Sequence, residues 1–393
     1  MTAIELPAAP RYGEASLADL VPSLLVALGS GPGPAPIAFP AIDHACVLMI
    51  DGLGQRLLER NREAAPFLAS LLPEGRPLTA GFPTSTSVSV TSLGTGLPPG
   101  RHGIVGYTMA APPFDGVLDL LGWRRYPGGR DLRRELPPER IQPNETCFGR
   151  AAAAGIEASL VTLGAHKTSG LTAAAFRGAM FRSLDRFDDT PRRVAALRAA
   201  FWGATRALVY TYDPRLDTAG HVHGIASDAW LNALREVDQV AAAVAACLPL
   251  HSLLAIVGDH GMVDVPVGTD AQLDLADEPQ LRRDVRLVAG EPRMRHLYVH
   301  EGHRAGVLDR WQDRLRDRWW VVEREVAIAA GLFGPRVDPN VIPRIGDVLA
   351  IARGRVGVFQ RDVAPWESGL TGHHGALDED ELLVPLLVAH VAA

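Results

Sequence analysis

ACVLMIDGLG, residues 45–54, is an uninterrupted apolar run that stops on an acidic residue. Such a run does not alternate between core and solvent. It fits a strand buried on both faces of a parallel sheet, not a half-exposed antiparallel strand. Asp51 then falls just past the strand's carboxyl end. Gly52 and Gly54 let the chain turn tightly there. Ligands of open α/β sheets gather at this edge.

The same unit recurs further along the chain. LVTLG (160–164) follows a predicted helix over 146–154. ALVYTY (207–212) leads into Asp213-Pro-Arg-Leu-Asp217-Thr-Ala-Gly-His221. Ser227 is placed to cap a long helix over 228–246, and LLAIV (253–257) leads into Gly258-Asp259-His260-Gly261. VPLLVA (384–389) is one more apolar strand, and residues 55–72 carry helical periodicity. Alternating strands and helices predict an α/β fold: a doubly wound, mostly parallel central sheet with helices on both faces. Residues 1–40 read as an appended segment, with one short helix over 17–28 and a Gly/Pro loop after it. Residues 41–393 read as a single catalytic domain. Two stretches break the rhythm, about 107–143 and about 263–367, and are expected as insertions that border or cover the site.

Composition narrows the function classes. The chain is 47% hydrophobic and 21% charged, with a formal net charge of −6. That balance offers neither a nucleic-acid groove nor a surface for anionic membranes. The apolar stretch near residue 20 is too short to span a bilayer, and no basic leader precedes it. A cytoplasmic protein is expected, so the Asn144 sequon carries no weight. Cys46, Cys147 and Cys247 are odd in number and far apart, which points to neither a disulfide framework nor a thiolate zinc site. Nothing in the sequence sets an oligomeric state.

The acids and histidines fall at strand ends. Asp51 follows one strand, Asp217 and His221 another, Asp259 and His260 a third. His374, in Gly372-His-His-Gly375, precedes the last strand. Alone, each is an ordinary turn residue or helix cap. Together they put three carboxylates and three imidazoles at one edge of the sheet. Asp, His and hydroxyl oxygen without cysteine is the donor set of a hydrolytic di-metal centre, with zinc first and manganese as the alternative. The hydroxyl source is FPTSTSVSVTSLGTGLPPGRHGI (82–104), which carries eight Ser and Thr residues ahead of and along a predicted helix. A helix N-terminus favours anions, so a hydroxyl there would face a bound phosphate.

With these pieces the chain resembles the alkaline phosphatase superfamily, within it the nucleotide pyrophosphatase/phosphodiesterase (type I phosphodiesterase) family. The matching motifs are Met49-Ile-Asp51-Gly-Leu-Gly54, Phe82-Pro-Thr-Ser-Thr86, Thr95-Gly-Leu-Pro-Pro-Gly-Arg-His102-Gly-Ile104, Asp217-Thr-Ala-Gly-His221, Gly258-Asp-His-Gly-Met262 and His374-Gly375. The resemblance implies an alkaline-phosphatase-like fold and a nucleophile at Thr86. It implies one zinc at Asp51, Thr86, Asp259 and His260, and a second at Asp217, His221 and His374. His373 is not needed, and His102 is expected to be structural. The implied activity is hydrolysis of phosphodiester or pyrophosphate bonds in a small nucleotide-type substrate, through a covalent phosphothreonine.

Contacts to substrate are expected from Ser89, three residues after Thr86, as a donor to a phosphoryl oxygen. Trp123 would stack a nucleobase, and Lys167, beside His166, would meet substrate at the sheet edge. Tyr107, Tyr126, Arg124 and Arg125 are further candidates in the first insertion. The nearest rival reading is a phosphomonoesterase or phosphonate hydrolase with the same metal site. A sulfatase is disfavoured, because Cys247-Leu-Pro-Leu-His251 has His where the signature needs Arg. A phosphosugar mutase would carry a serine nucleophile. From another class, an inactive nucleotide-binding scaffold would leave donor positions unfilled, and here all seven are filled.

Overall fold

A computed structural model describes residues 6–31, 33–72 and 77–391. Among these residues the central sheet has six strands: β1 (His44–Ile50), β2 (Glu157–Leu163), β3 (Met180–Leu184), β4 (Ala207–Asp213), β5 (Ser252–Gly258) and β6 (Leu386–Val391). Their order across the sheet is β6–β5–β1–β4–β2–β3. All pairings are parallel except β6 with β5.

Every residue of β1 is buried, as its unbroken apolar run requires. Cys46, Leu48 and Ile50 point into one core, which includes Trp230, Leu234 and Val237 of the helix Asp228–Cys247. Ala45, Val47 and Met49 point into the opposite core. The sheet is therefore covered on both faces, as a doubly wound fold demands. The second core also takes Leu17, Leu20, Val21 and Leu24 from the helix Leu17–Ala27. That helix is thus built into the fold instead of appended to it; residues 1–5 and 32 of the segment lie outside the described residues.

Residues 55–72 do not form one helix. They break into Gln55–Arg60, a 3-10 turn Arg62–Ala64, and Pro66–Ser70. Pro66 has no N–H to continue a helix and pushes Ala65 out of the helical region, to φ −136° and ψ 66°.

Register places the site. Ile50 pairs with Asp213 on one side and with Gly258 on the other. The strands β1, β4 and β5 therefore end level, and Asp51 and Asp259 leave the sheet side by side. Gly52, at φ +76°, makes the turn after β1, and a Cβ there would stand 3.0 Å from the Asp217 backbone.

The two rhythm-breaking stretches form their own small sheets. The first carries Thr108–Ala111, Phe114–Asp119 and Arg124–Arg125. The second carries an antiparallel sheet of Val285–Glu291, Met294–Val299, Val348–Ala352 and Trp319–Glu323, in that order. Apolar side chains of the second, such as Trp311 and Leu349, share one core with Phe82, Val88 and Ile104. The insertion is thereby docked on the Thr86 segment. Finally, Gly372–His373 pairs with Val263–Asp264, which brings the histidine loop back to the sheet edge. No helix among the described residues is long and apolar enough to cross a membrane.

Candidate metal centre and active site

Thr86 opens the helix Thr86–Thr95, which starts after Ser85 and ends on Gly96 in the left-handed conformation. The helix is short of large side chains, and this lets it sit deep. A Cβ on Gly94 would lie 2.1 Å from the Ala175 carbonyl of the neighbouring helix. Thr91 and Thr95 turn their hydroxyls back to the carbonyls of Ser87 and Thr91, both at 2.7 Å. These hydroxyls are therefore spent inside the helix. Ser92 bonds His102 Nε2 at 3.0 Å, and His102 Nδ1 accepts from the Ile104 N–H at 3.1 Å. Burial pushes the His102 imidazole pKa down to about 3, so His102 is a neutral structural brace.

The Thr86 hydroxyl is different. Its oxygen lies 3.2 Å from His260 Nε2. That same nitrogen is 3.5 Å from Asp51 Oδ1 and 3.5 Å from Asp259 Oδ2. On the helix Arg215–His223, Asp217 and His221 lie one turn apart, with Oδ1 and Nε2 separated by 3.3 Å. One donor atom each from Asp217, His221 and His374 falls within 4.8 Å of the others. The same holds for Asp51, Asp217 and His260, so Asp217 stands between the two groups. The His260 and His374 rings stack at 3.6 Å.

Hydrogen bonds behind the site fix how each group faces it. His221 Nδ1 meets the Gly372 carbonyl at 2.7 Å, His260 Nδ1 the Gly261 carbonyl at 2.9 Å, and His374 Nδ1 the Thr84 carbonyl at 2.7 Å. A carbonyl only accepts, so each Nδ1 carries the hydrogen and each Nε2 presents a lone pair. Asp259 Oδ1 is taken by the N–H groups of Gly52 at 3.1 Å and His260 at 2.9 Å. Asp51 Oδ2 accepts from the Tyr212 hydroxyl. The remaining oxygens, Asp51 Oδ1, Asp217 Oδ1 and Asp259 Oδ2, are buried and have no hydrogen-bond partner.

Buried oxygens without partners are costly unless something cationic meets them. Burial, and then the charges of Asp259 and Asp217, hold the Asp51 carboxyl well above the usual carboxylate range. Burial raises Asp217 as well. His374 is held well below the imidazole range by burial and by the rings of His260 and His221. Carboxylates that resist sharing negative charge, beside imidazoles kept neutral, are what a divalent cation would compensate. The residues present therefore fit the implied metal ions: oxygen and imidazole donors, no thiolate, and all seven expected positions at one place.

Two cavities flank Thr86. One, of about 240 Å3, runs past Leu160, His166, Phe176, Tyr210 and Tyr212. The other, of about 320 Å3, contains Asp217, His221 and His374 and opens past Tyr107 and Trp366. Leu121 and Tyr212 line both.

The three expected substrate contacts lie elsewhere. Ser89 is fully buried and donates its hydroxyl to the Asp259 carbonyl at 2.6 Å. It ties the helix to the Asp259 loop and does not face either cavity. Trp123 is also fully buried, and its indole N–H donates to the Leu136 carbonyl at 2.7 Å. It packs on Gly170, where a Cβ would stand 2.2 Å from the ring, and Leu121 reaches the cavities instead. Lys167 is exposed on the 3-10 turn Gly164–Thr168, away from both linings, while its neighbour His166 lines the first cavity. Arg124 and Arg125 are exposed on their strand.

Residues not singled out from sequence complete the site. Tyr212 is one; the alternation in ALVYTY puts Tyr210 and Tyr212 on one face at a strand end, which is a readable signal. Glu291 and Trp366 are others, and neither sits in a periodic pattern. Glu291 is buried, accepts the Tyr107 N–H at 2.6 Å through Oε1, and has no partner for Oε2. His373 lines the second cavity and bonds the Leu370 carbonyl at 3.1 Å through Nε2, and it belongs to neither group of converging donors.

Residues 45–377 match the sequence model of the type I phosphodiesterase/nucleotide pyrophosphatase family. The fold is similar to solved structures of murine ectonucleotide pyrophosphatase/phosphodiesterase 5. One is the protein itself, at 19% identity, with a TM-score of 0.66 and 88% of this chain and 87% of that chain covered. Another is an inactive threonine-to-alanine variant in complex with AMP, at 18% identity, the same TM-score of 0.66, and the same coverage of 88% and 87%.

Proposed function

The chain belongs to the type I phosphodiesterase/nucleotide pyrophosphatase family, a family of hydrolases, and on that footing we propose that it cleaves a nucleotide-type phosphodiester or pyrophosphate through Thr86. The observation that carries the reading is the convergence of unpartnered oxygens from Asp51, Asp217 and Asp259 with three imidazole lone pairs beside the Thr86 hydroxyl. Asp51, Thr86, Asp259 and His260 would hold one ion; Asp217, His221 and His374 would hold the other. Zinc suits this nitrogen and oxygen donor set, with manganese as the alternative. Bound there, the ions supply the Lewis acidity that lowers the pKa of a hydroxyl and stabilises a departing oxygen.

The protein's own groups do the rest. Thr86 Oγ1 attacks phosphorus, the bond to the leaving alcohol or phosphate breaks, that group departs with the hydroxyl proton, and Thr86 is left esterified to the phosphoryl group that still carries the retained nucleoside. Water then displaces Thr86 and releases the phosphorylated product. The first N–H groups of the Thr86 helix lie beside the nucleophile and favour the phosphoryl charge. The apolar and aromatic cavity of His166, Phe176, Tyr210 and Tyr212 gives a nucleoside a place to lie. A similar fold holds AMP, which supports a nucleotide at this site.

The test is acid quenching during turnover, followed by peptide mass spectrometry, on protein purified without chelator. The retained nucleoside monophosphate on Thr86 and about two ions per chain are expected. Turnover with no nucleotide-modified Thr86 peptide, or full activity without metal, would sink the reading.

A further inference from the structure

The second cavity is walled differently from the first. Its outer half comes from the two inserted segments: Tyr107 and Leu121 from the first, Pro292 and Trp366 from the second. The aromatic rings are locked edge to face, Tyr107 on Tyr126 at 6.1 Å and Tyr126 on Trp366 at 6.3 Å. Behind them the Tyr126 hydroxyl donates to Glu367 Oε1 at 2.7 Å, and Arg295 holds Glu367 Oε2 at 2.8 Å. Arg295 is wholly buried in that network. Yet Trp366 keeps 49% exposure and Leu121 keeps 48%. A rigidly held indole with one side open beside a cavity is a surface for a flat ring.

The charges at this wall are as informative as its rings. Among the described residues that line the second cavity, none is lysine or arginine. Glu291 and Glu367 are both there. A departing group that carried its own phosphate would meet no cation of the protein on this side. The Asp217, His221 and His374 donors, expected at the departing oxygen, lie at the inner end of the same cavity. What leaves therefore extends outward past Tyr107 and Trp366.

From this geometry we infer that the second cavity is a leaving-group subsite for an uncharged, ring-bearing alcohol. The substrate would then be a phosphodiester with an organic group on each side, one in each cavity that meets at Thr86. Pyrophosphates, whose leaving group is itself a phosphate, are disfavoured. This rests on the proposed hydrolase reading and narrows its substrate class.

The experiment compares three substrates that share one retained nucleoside: its 5′-phosphate p-nitrophenyl ester, its 5′-phosphate methyl ester, and the corresponding dinucleoside diphosphate. Each is assayed with the metal-replete wild type and with Trp366→Ala, a change at a half-exposed side chain. In Trp366→Ala, kcat/KM for the aryl ester should fall about tenfold while that for the methyl ester holds within about twofold. The wild type should prefer the aryl ester to the pyrophosphate. Equal losses on the aryl and methyl esters, or a preference for the pyrophosphate untouched by Trp366→Ala, would overturn the subsite. Calorimetric titration with benzyl alcohol, which stays uncharged at neutral pH, gives a readout apart from turnover, with weaker binding expected in Trp366→Ala. Binding that depends on Trp366 in a protein that turns over none of the three substrates would break the hydrolase reading and leave the subsite standing.

Discussion

The Thr86 hydroxyl stands 3.2 Å from Nε2 of His260, a nitrogen whose ring partner, Nδ1, donates its hydrogen to the Gly261 carbonyl. Nε2 therefore accepts, and the hydroxyl is aimed at the point that Asp51 Oδ1 and Asp259 Oδ2 also approach, each 3.5 Å from the same nitrogen. The proposed nucleophile and the candidate metal donors are one constellation. Thr86→Ser keeps the oxygen and loses only a methyl group, so it should retain turnover within about 100-fold of wild type. Thr86→Ala should lose at least ~10³-fold in kcat. Both variants should bind metal, measured by elemental analysis after gel filtration. A Thr86→Ser protein as dead as Thr86→Ala would argue that the threonine matters for shape and not as a nucleophile.

Removing the ions should cost stability, and the cost should depend on pH. In the metal-free chain burial and neighbouring carboxylates raise the Asp51 carboxyl well above its usual range, and burial raises Asp217 too. A raised acid stabilises the fold below its unfolded pKa and withdraws that contribution as pH rises through its folded pKa. The metal-free protein thus loses stability as pH rises, and the ions bind better in the same direction because fewer of their donors are protonated. The drop in Tm on chelation should be larger at pH 8 than at pH 5, and an ion at 1,000 times its Kd corresponds to about 4 kcal/mol. Differential scanning fluorimetry with and without chelator reads this directly. A drop of the same size at both pH values would count against the carboxylates as the seat of binding.

The candidate metal donors were legible in sequence for a physical reason. Asp51 and Asp259 each end a fully apolar strand, and parallel strands in register end at one level, so their positions follow from chain pattern alone. Asp217 and His221, four residues apart, face the same way whenever that segment is helical. The substrate contacts had no such rule. Trp123 and Leu121 are neighbours on one turn, and only the packing of Trp123 onto Gly170 decides which side chain goes into the core. Glu291 reaches the site because its inserted sheet docks on Phe82 and Val88, a contact between segments some 200 residues apart, and Trp366 reaches it from a loop further along the same insertion, a region without periodic signal.

Ser89 tests that distinction. Its hydroxyl is spent on the Asp259 carbonyl at 2.6 Å and is out of reach of either cavity. Ser89→Ala should therefore behave as the loss of one buried hydrogen bond, about 1 to 2 kcal/mol in stability by urea unfolding. Its kcat/KM on a nucleotide diester should stay within about fivefold of wild type, the residual effect coming through a less firmly held Asp259 loop. A Ser89→Ala enzyme with wild-type stability and a 100-fold higher KM would return Ser89 to the phosphoryl group.

Glu291 is the buried acid for which the metal site has no use, and its titration should show in the stability of the fold. Burial pushes its carboxyl up to about 7, against the hydrogen bonds from Ser85 and the Tyr107 N–H and the nearby charge of Arg295. Because the folded value lies above the unfolded one, the carboxyl stabilises the fold fully only below about pH 4.5. That contribution is lost as pH climbs through about 7. Glu291→Gln keeps an acceptor for the Tyr107 N–H and cannot ionise. Its stability relative to wild type should be near zero or slightly negative at pH 5 and should rise toward pH 8, by up to about 3 kcal/mol. Ionisation would also place a negative charge on the wall that faces an anionic substrate. The wild-type KM should then climb above pH 7 while that of Glu291→Gln stays level. Paired urea titrations and pH profiles on metal-replete protein distinguish the outcomes. Parallel stability curves from pH 5 to 8 would mean that Glu291 is ionised throughout, held there by Arg295 and the Ser85 and Tyr107 hydrogen bonds.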